Sequence, residues 1–183
     1  MIEFLLPETR LFHDQWFALQ RRSGAVVPAR AEFNPAAIKS VQRYLGIAEI
    51  TDEGELVYRF VGTGIEQLMG TSLTGTRFGD IIEARTRPVF KIWTRNLLEG
   101  HPYGIYFIFV ASTATGAQVE VEDIAFPLAD SQGRFRFVVG YGGPTRSLAY
   151  GESLAKLHDF RALRAVDIGC GLPESAQRLA VLK

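Results

Sequence analysis

The chain has 183 residues, 20 Lys and Arg against 20 Asp and Glu, 47% hydrophobic residues and a single cysteine. A chain of this length can bury enough apolar surface to hold one core without a metal, and one cysteine forms neither an internal disulfide nor a Cys-rich zinc site. A net charge of zero argues against nucleic acid as a partner, because phosphate recognition needs a basic face. The longest apolar run, Ile105–Ala111, falls far short of the roughly 20 residues of a membrane-spanning helix. The stretch Met1–Pro7 lacks the basic leader and apolar core of a signal peptide, so a cytoplasmic protein is expected.

Residues 9–22 place Phe12, Trp16 and Leu19 at helical spacing, with Arg21 and Arg22 in the last turn, where cations suit a helix C-terminus. Asn34-Pro35 reads as an N-cap followed by proline at the first helical position, and Ile38, Val41 and Leu45 predict a second helix that Gly46 stops. From Ile47 the period changes. Ile47–Thr51 and Glu55–Gly62 flank the turn cluster Asp52-Glu53-Gly54 and predict a hairpin, with Leu56, Tyr58 and Phe60 on one face. Three helical pieces follow at Gly64–Met69, Asp80–Thr86 and Val89–Glu99, with Pro88 separating the last two. Tyr103–Thr113, Gln118–Leu128 and Arg134–Tyr141 then read as a β-meander. In its last strand Phe135, Phe137, Val139 and Tyr141 share a face. Beyond Gly142-Gly143-Pro144, Ser147–Leu163 is expected to be helical, Asp167–Pro173 a glycine-rich loop and Glu174–Leu182 a short helix.

Two strands, a helical insertion and three further antiparallel strands define an α+β fold with a five-stranded sheet. The words along this order resemble those of short PAS-like proteins from alphaproteobacteria. They include Trp16, Val27-Pro28-Ala29-Arg30, Phe33-Asn34-Pro35, Tyr58-Arg59-Phe60-Val61-Gly62-Thr63 and Gly70-Thr71-Ser72-Leu73-Thr74-Gly75. Gly100-His101-Pro102 and Glu122-Asp123-Ile124-Ala125-Phe126-Pro127-Leu128 extend the likeness, which runs from about Leu11 to Gly143. The resemblance implies a PAS-like five-stranded antiparallel sheet with a helical insertion between strands 2 and 3, preceded by N-terminal helices. It divides the chain into a helical extension (1–46), a PAS-like core (47–145) and a C-terminal extension (146–183). The function it implies is that of a sensory or regulatory module without catalysis, acting through protein association.

Several strings invite chemistry. Val166-Asp167-Ile168-Gly169-Cys170-Gly171 is similar to the glycine-rich motif of S-adenosylmethionine-dependent methyltransferases, but only 12 residues follow it, too few for the rest of a nucleotide-binding sheet. Cys170 lies outside the helical insertion, where a flavin-adduct cysteine would sit, and His13, His101 and His158 show no metal-ligand spacing. No metal and no cofactor is expected. Strict alternation from Val119 and Val121 puts Asp123 on an apolar face, where it could serve as a base with a tyrosine such as Tyr106 in an isomerase- or hydratase-like enzyme. The favoured reading is a bulge between Glu122 and Ile124 that turns Asp123 outward.

The candidate pocket between sheet and helices comprises Trp93, Tyr106, Phe107, Phe109, Phe137 and Tyr141, with Arg59 and Arg95 as anchors for a carboxylate-bearing ligand. Ordinary core packing, as in an adaptor with a ligand-free core, accounts for the same aromatic residues. Phe12, Trp16 and Leu19 form an apolar stripe that must cover either the sheet or another subunit, so a homodimer and an unidentified protein partner are expected.

Overall fold

The structure, a computed structural model, describes residues 2–149, 151–177 and 179. Helix α1 (Pro7–Ser23) carries Pro in its first turn, Arg21 and Arg22 in its last, and ends on Gly24, whose left-handed backbone (φ 72°) lets its N–H donate to the Gln20 carbonyl. Strands β1 (Leu45–Ile50) and β2 (Leu56–Val61) form the hairpin. Three helices follow, α2 (Thr63–Met69), α3 (Phe78–Ile81) and α4 (Arg87–Leu98), and then β3 (Gly104–Thr113), β4 (Gln118–Ala129) and β5 (Phe135–Pro144). Strand β6 (Leu154–Val166) and the short helix α5 (Glu174–Gln177) complete the described chain.

All six strands join one antiparallel sheet in the order β2-β1-β5-β4-β3-β6. The expected five antiparallel strands, with the insertion between β2 and β3 and a β3–β5 meander, are therefore present. The sixth strand is a correction, because the C-terminal segment was expected to be helical there. Leu154, Leu157, Phe160 and Leu163 recur every three residues, a helical signal, yet they lie opposite Thr113, Ala111, Phe109 and Phe107. A register shift falls in each interval of that ladder up to Phe160 and Ile108, and each extra residue converts the strand period of two into three. Residues 154–166 thus form part of the sheet itself, and the helix expected at Glu174–Leu182 is described only as α5, with residues 178 and 180–183 outside the described set.

The sheet is buried on both faces. One face meets α2–α4, where Phe90, Trp93 and Leu97 pack on Phe107, Phe109, Val138 and Leu163. The other is covered by α1, whose Phe12, Trp16 and Leu19 sit against Ile124, Phe126, Leu128 and Val139. Trp16 is fully buried and stacks on Phe126 with ring centroids 4.5 Å apart.

Three further expectations are corrected. The helix expected from Asn34 is two separate 3₁₀ turns, Pro35–Ala37 and Gln42–Tyr44. Asn34 does cap the first, accepting from the Ala36 N–H, and Ile38, Val41 and Leu45 are buried; but β1 takes Leu45 and Gly46 and leaves too short a segment for a helix. Phe60 does not share a face with Tyr58, because the β1–β2 register shifts between Ile47 and Ala48, so Leu56 and Tyr58 face the insertion while Phe60 turns toward α1. The helix expected at Asp80–Thr86 stops at Ile81, where Ile82 bridges to Leu157 of β6, and Pro88 sits inside the first turn of α4. Glu83, on the same connection, accepts from Nδ1 of His158 of β6, whose Nε2 in turn bonds the Ser112 hydroxyl of β3 and ties the insertion to the sheet.

Candidate functional site: a carboxyl over a glycine floor

A cavity of about 50 Å³ lies between the sheet and the helical insertion. Its floor is made of the smallest side chains in three adjacent strands: Gly46 and Ala48 of β1, Gly140 and Gly142 of β5, and Ala125 of β4. Gly46 pairs directly with Gly140, which also lies opposite Ala125, so the floor is a contiguous patch. Its walls are Leu56, Tyr58, Ile65, Phe78, Phe90, Trp93, Phe107 and Val138. The helices cannot close on the floor, because Trp93 is pinned by its indole N–H to the Tyr103 carbonyl at 2.9 Å and Phe90 is wedged edge-on between Phe78 and Phe107.

Asp123 is the single acid of this lining. The β3–β4 register runs without a shift from Gln118 to Ala125, so no bulge turns Asp123 outward, and the expectation that it faces solvent is overturned. The sequence pattern misled because both faces of β4 are buried: Val119, Val121, Asp123 and Ala125 point to the insertion, and Glu122, Ile124, Phe126 and Leu128 to α1. Partly buried in the cavity lining, the Asp123 carboxyl is pushed well above the usual carboxylate range, first by desolvation and secondarily by the neighbouring Glu122. Burial likewise pushes the Tyr58 hydroxyl upward, with the Asp123 charge adding to it. Gly142 lies opposite Asp123, and a Cβ there would come within 2.5 Å of Asp123 Oδ2. Only glycine permits that approach.

Glu122, the preceding residue, projects to the opposite face and is fully buried. Its Oε1 accepts from the Leu5 N–H at 2.7 Å and the Tyr106 hydroxyl at 2.8 Å, and its Oε2 from the Leu6 N–H at 2.8 Å and the Thr9 hydroxyl at 2.6 Å. Leu6, the residue before α1, supplies no side-chain cap of its own, so a carboxylate from β4 performs that task. Two consecutive acids on one strand therefore touch the cavity and the start of α1.

Of the residues singled out from the sequence, Trp93 and Phe107 line the cavity. Phe109 is on the same face but packs deeper, stacked on Phe160. Tyr106, Phe137 and Tyr141 belong to the α1 face. Asp123 and Tyr106 thus project from opposite sides of the sheet, and the base-and-donor pair of the isomerase-like alternative does not converge. The two arginines are also outside the cavity: Arg59, the extra residue of the β1–β2 bulge, pairs with Glu49, and Arg95, 80% exposed, pairs with Glu99. Phe12, Trp16 and Leu19 are buried against their own sheet, so that stripe is not an exposed interface. Sequence reasoning missed Glu122, Tyr58 and the glycine floor; the signal available was Gly140 and Gly142 interrupting an otherwise aromatic strand.

The glycine-rich loop after β6 is closed by Asp167, whose Oδ1 accepts from the N–H groups of Gly169, Cys170 and Gly171 at 2.8, 3.2 and 3.0 Å. The Cys170 thiol donates to the Pro102 carbonyl, and partial burial raises it above the ordinary thiol range. His101 is exposed on the turn before β3. Among the described residues no group of His, Cys, Asp and Glu is arranged to hold a metal, and no helix is long and apolar enough to cross a membrane.

Comparison with curated proteins finds no match. Solved structures similar in fold include the LOV domain of the blue-light-activated histidine kinase EL346 from Erythrobacter litoralis, at 20% identity and a TM-score of 0.42, covering 56% of this chain and 95% of that one. A PAS domain from Colwellia psychrerythraea matches at 13% identity and a TM-score of 0.42, covering 62% and 93%. The Vibrio cholerae VqmA dimer matches at 15% identity and 0.45, over 63% of this chain and 51% of that one. A family profile described as the PAS domain matches residues 6–141, most of the chain, and spans α1, the hairpin, the helical insertion and the strands that carry the cavity. The chain belongs to the PAS domain family, and its fold is that of a sensory signalling module.

Proposed function

We propose that the input of this module is a small molecule bound in the cavity against Asp123, and that its output is protein association controlled through β4 and α1. One observation carries this reading: the Asp123 carboxyl, partly buried in the cavity lining with no donor in hydrogen-bond reach among the described residues, stands over a floor of glycine and alanine. Desolvating a carboxyl without giving it a hydrogen-bond partner is unfavourable, and small residues under large rings forgo packing. A bound molecule would offset both. An adaptor with a ligand-free core has no use for either feature. The route outward is short, since Glu122 holds the start of α1 and adjoins Asp123. Because the apolar stripe of α1 packs on its own sheet, association in this reading responds to movement of α1 rather than to exposure of that stripe.

Native mass spectrometry of gently purified protein, with Ala48→Val as the cavity-filling comparison, tests the input. A small adduct on the wild type that is lost from the variant is expected. Equal adducts on both proteins, or none on either, contradicts the reading.

A further inference from the structure

We infer that the molecule received by the cavity is a small alkylammonium ion, its N–H donors on the Asp123 carboxylate and its carbons against Trp93 and Phe107; this rests on the sensing reading above. No cationic side chain lines the cavity among the described residues, its single acid is Asp123, and the acid immediately behind it is Glu122. A carboxylate or phosphate ligand would meet two acids and no cation. The charge the site lacks is positive.

The walls favour the same choice. Tyr58, Phe78, Phe90, Trp93 and Phe107 present aromatic rings to the cavity, and such rings attract a cation across their faces. Trp93 cannot compete as a donor to Asp123, since its N–H is engaged by the Tyr103 carbonyl. Size restricts the ion further. The cavity, at about 50 Å³, is a third of the roughly 150 Å³ that accepts benzene, so methylammonium or dimethylammonium fits without rearrangement.

The proton balance gives the site a pH signature. Without a cation its surroundings favour the protonated carboxyl; binding forms a carboxylate–ammonium pair, and any proton the carboxyl carried is released to solvent. Affinity for an amine therefore rises with pH until the empty carboxyl is itself ionised. The ionisable groups near it are Tyr58 of β2 in the cavity and Glu122 of β4 and Tyr141 of β5 on the far face. The residues that β1, β3 and α2–α4 turn toward it carry no charge. A neutral ligand that accepts the Asp123 proton would show the opposite trend.

The test follows the backbone amides of Gly46, Gly140 and Gly142 by ¹H–¹⁵N NMR, titrating methylammonium chloride against sodium chloride at equal ionic strength, with formamide and formate as neutral and anionic probes. Methylammonium should shift the three floor amides with a Kd of roughly 5–50 mM, since about 1.5 kcal/mol for each of its two non-hydrogen atoms is the ceiling open to it. The affinity should increase with pH as the Asp123 carboxyl ionises. Asp123→Asn, confirmed as folded by its dispersed spectrum, should weaken binding by at least about 100-fold, as expected for loss of a buried ion pair. Equal binding by Asp123→Asn overturns the proposal. Shifts from formamide or formate with methylammonium silent overturn the amine class while leaving the cavity as a ligand site. Silence from all three probes also overturns the amine class, and the native mass spectrum then decides separately whether the cavity is used at all.

Discussion

Replacing Glu122 by Gln keeps the side chain's shape and removes one of two acceptor oxygens. In the wild type each oxygen serves one backbone N–H and one hydroxyl: Leu5 and Tyr106 on one, Leu6 and Thr9 on the other. A hydroxyl can reverse its hydrogen and accept from the new amide, but a backbone N–H cannot. Either orientation of the amide therefore leaves one N–H at the start of α1 facing an NH₂ group. An unsatisfied buried donor costs about 1–3 kcal/mol, and losing negative charge beside a helix N-terminus adds up to ~2 kcal/mol in a buried setting. We expect a loss of roughly 2–4 kcal/mol, against a total of about 5–15 for an ordinary domain. At about 2–4 °C per kcal/mol for a chain of this size, Tm should fall by roughly 4–16 °C. Thermal unfolding gives the total, and amide exchange at Leu5 and Leu6 localises it. A variant within about 0.5 kcal/mol of wild type, with unchanged exchange at those amides, would refute the assignment of Glu122 as the anchor of α1.

Asp123→Asn should do the reverse. The folded-state carboxyl titrates above its unfolded counterpart, so the contribution of Asp123 to wild-type stability is fully present below about pH 4 and is lost as pH rises toward the folded-state value, by about 1.4 kcal/mol per unit within that window. The Asn variant lacks this slope, so its Tm advantage should be absent at pH 4 and grow toward neutrality; parallel pH profiles would contradict the burial of Asp123. Trp16→Ala should cost about 3 kcal/mol, the lower end for a buried tryptophan because its indole N–H has no acceptor among the described residues, and a loss below about 1 kcal/mol would count against α1 packing on the sheet. A chain ended at Thr145 should fail to yield a folded, soluble protein by circular dichroism, because it strips β6 from the edge of β3 and exposes Phe107, Phe109 and Phe160's other neighbours; a well-folded 1–145 fragment would show β6 to be dispensable.

Much of the fold could be read from period and punctuation. Helix α1, the β1–β2 hairpin, the insertion ending in α4 and the β3–β5 meander all carry patterns that one buried face imposes. The misreadings have a common cause, which is that this sheet is covered on both sides and broken by bulges. In β4, Glu122 and Asp123 face opposite apolar layers, and alternation cannot reveal that one is a fully buried acid holding α1 and the other a partly buried acid lining the cavity. In β6, serial bulges imitate helical spacing. In β2, a single bulge ejects Arg59 and reverses Phe60. Arg59 and Arg95 were attractive anchors only because charge near aromatic residues suggests recognition; the structure pairs both with surface acids and gives the cavity the opposite polarity.

The central claim, that the cavity is the input and β4 carries its state to α1, is tested most directly in one NMR experiment. Small-molecule fragments are screened against wild type and Ala48→Val while the amides of Gly140 and Gly142 and those of Leu5 and Leu6 are followed together. A fragment that shifts the floor glycines is expected to shift the two amides held by Glu122 as well, and Ala48→Val to abolish both responses. Fragments that leave the floor unmoved, or that act equally on the filled variant, would contradict it.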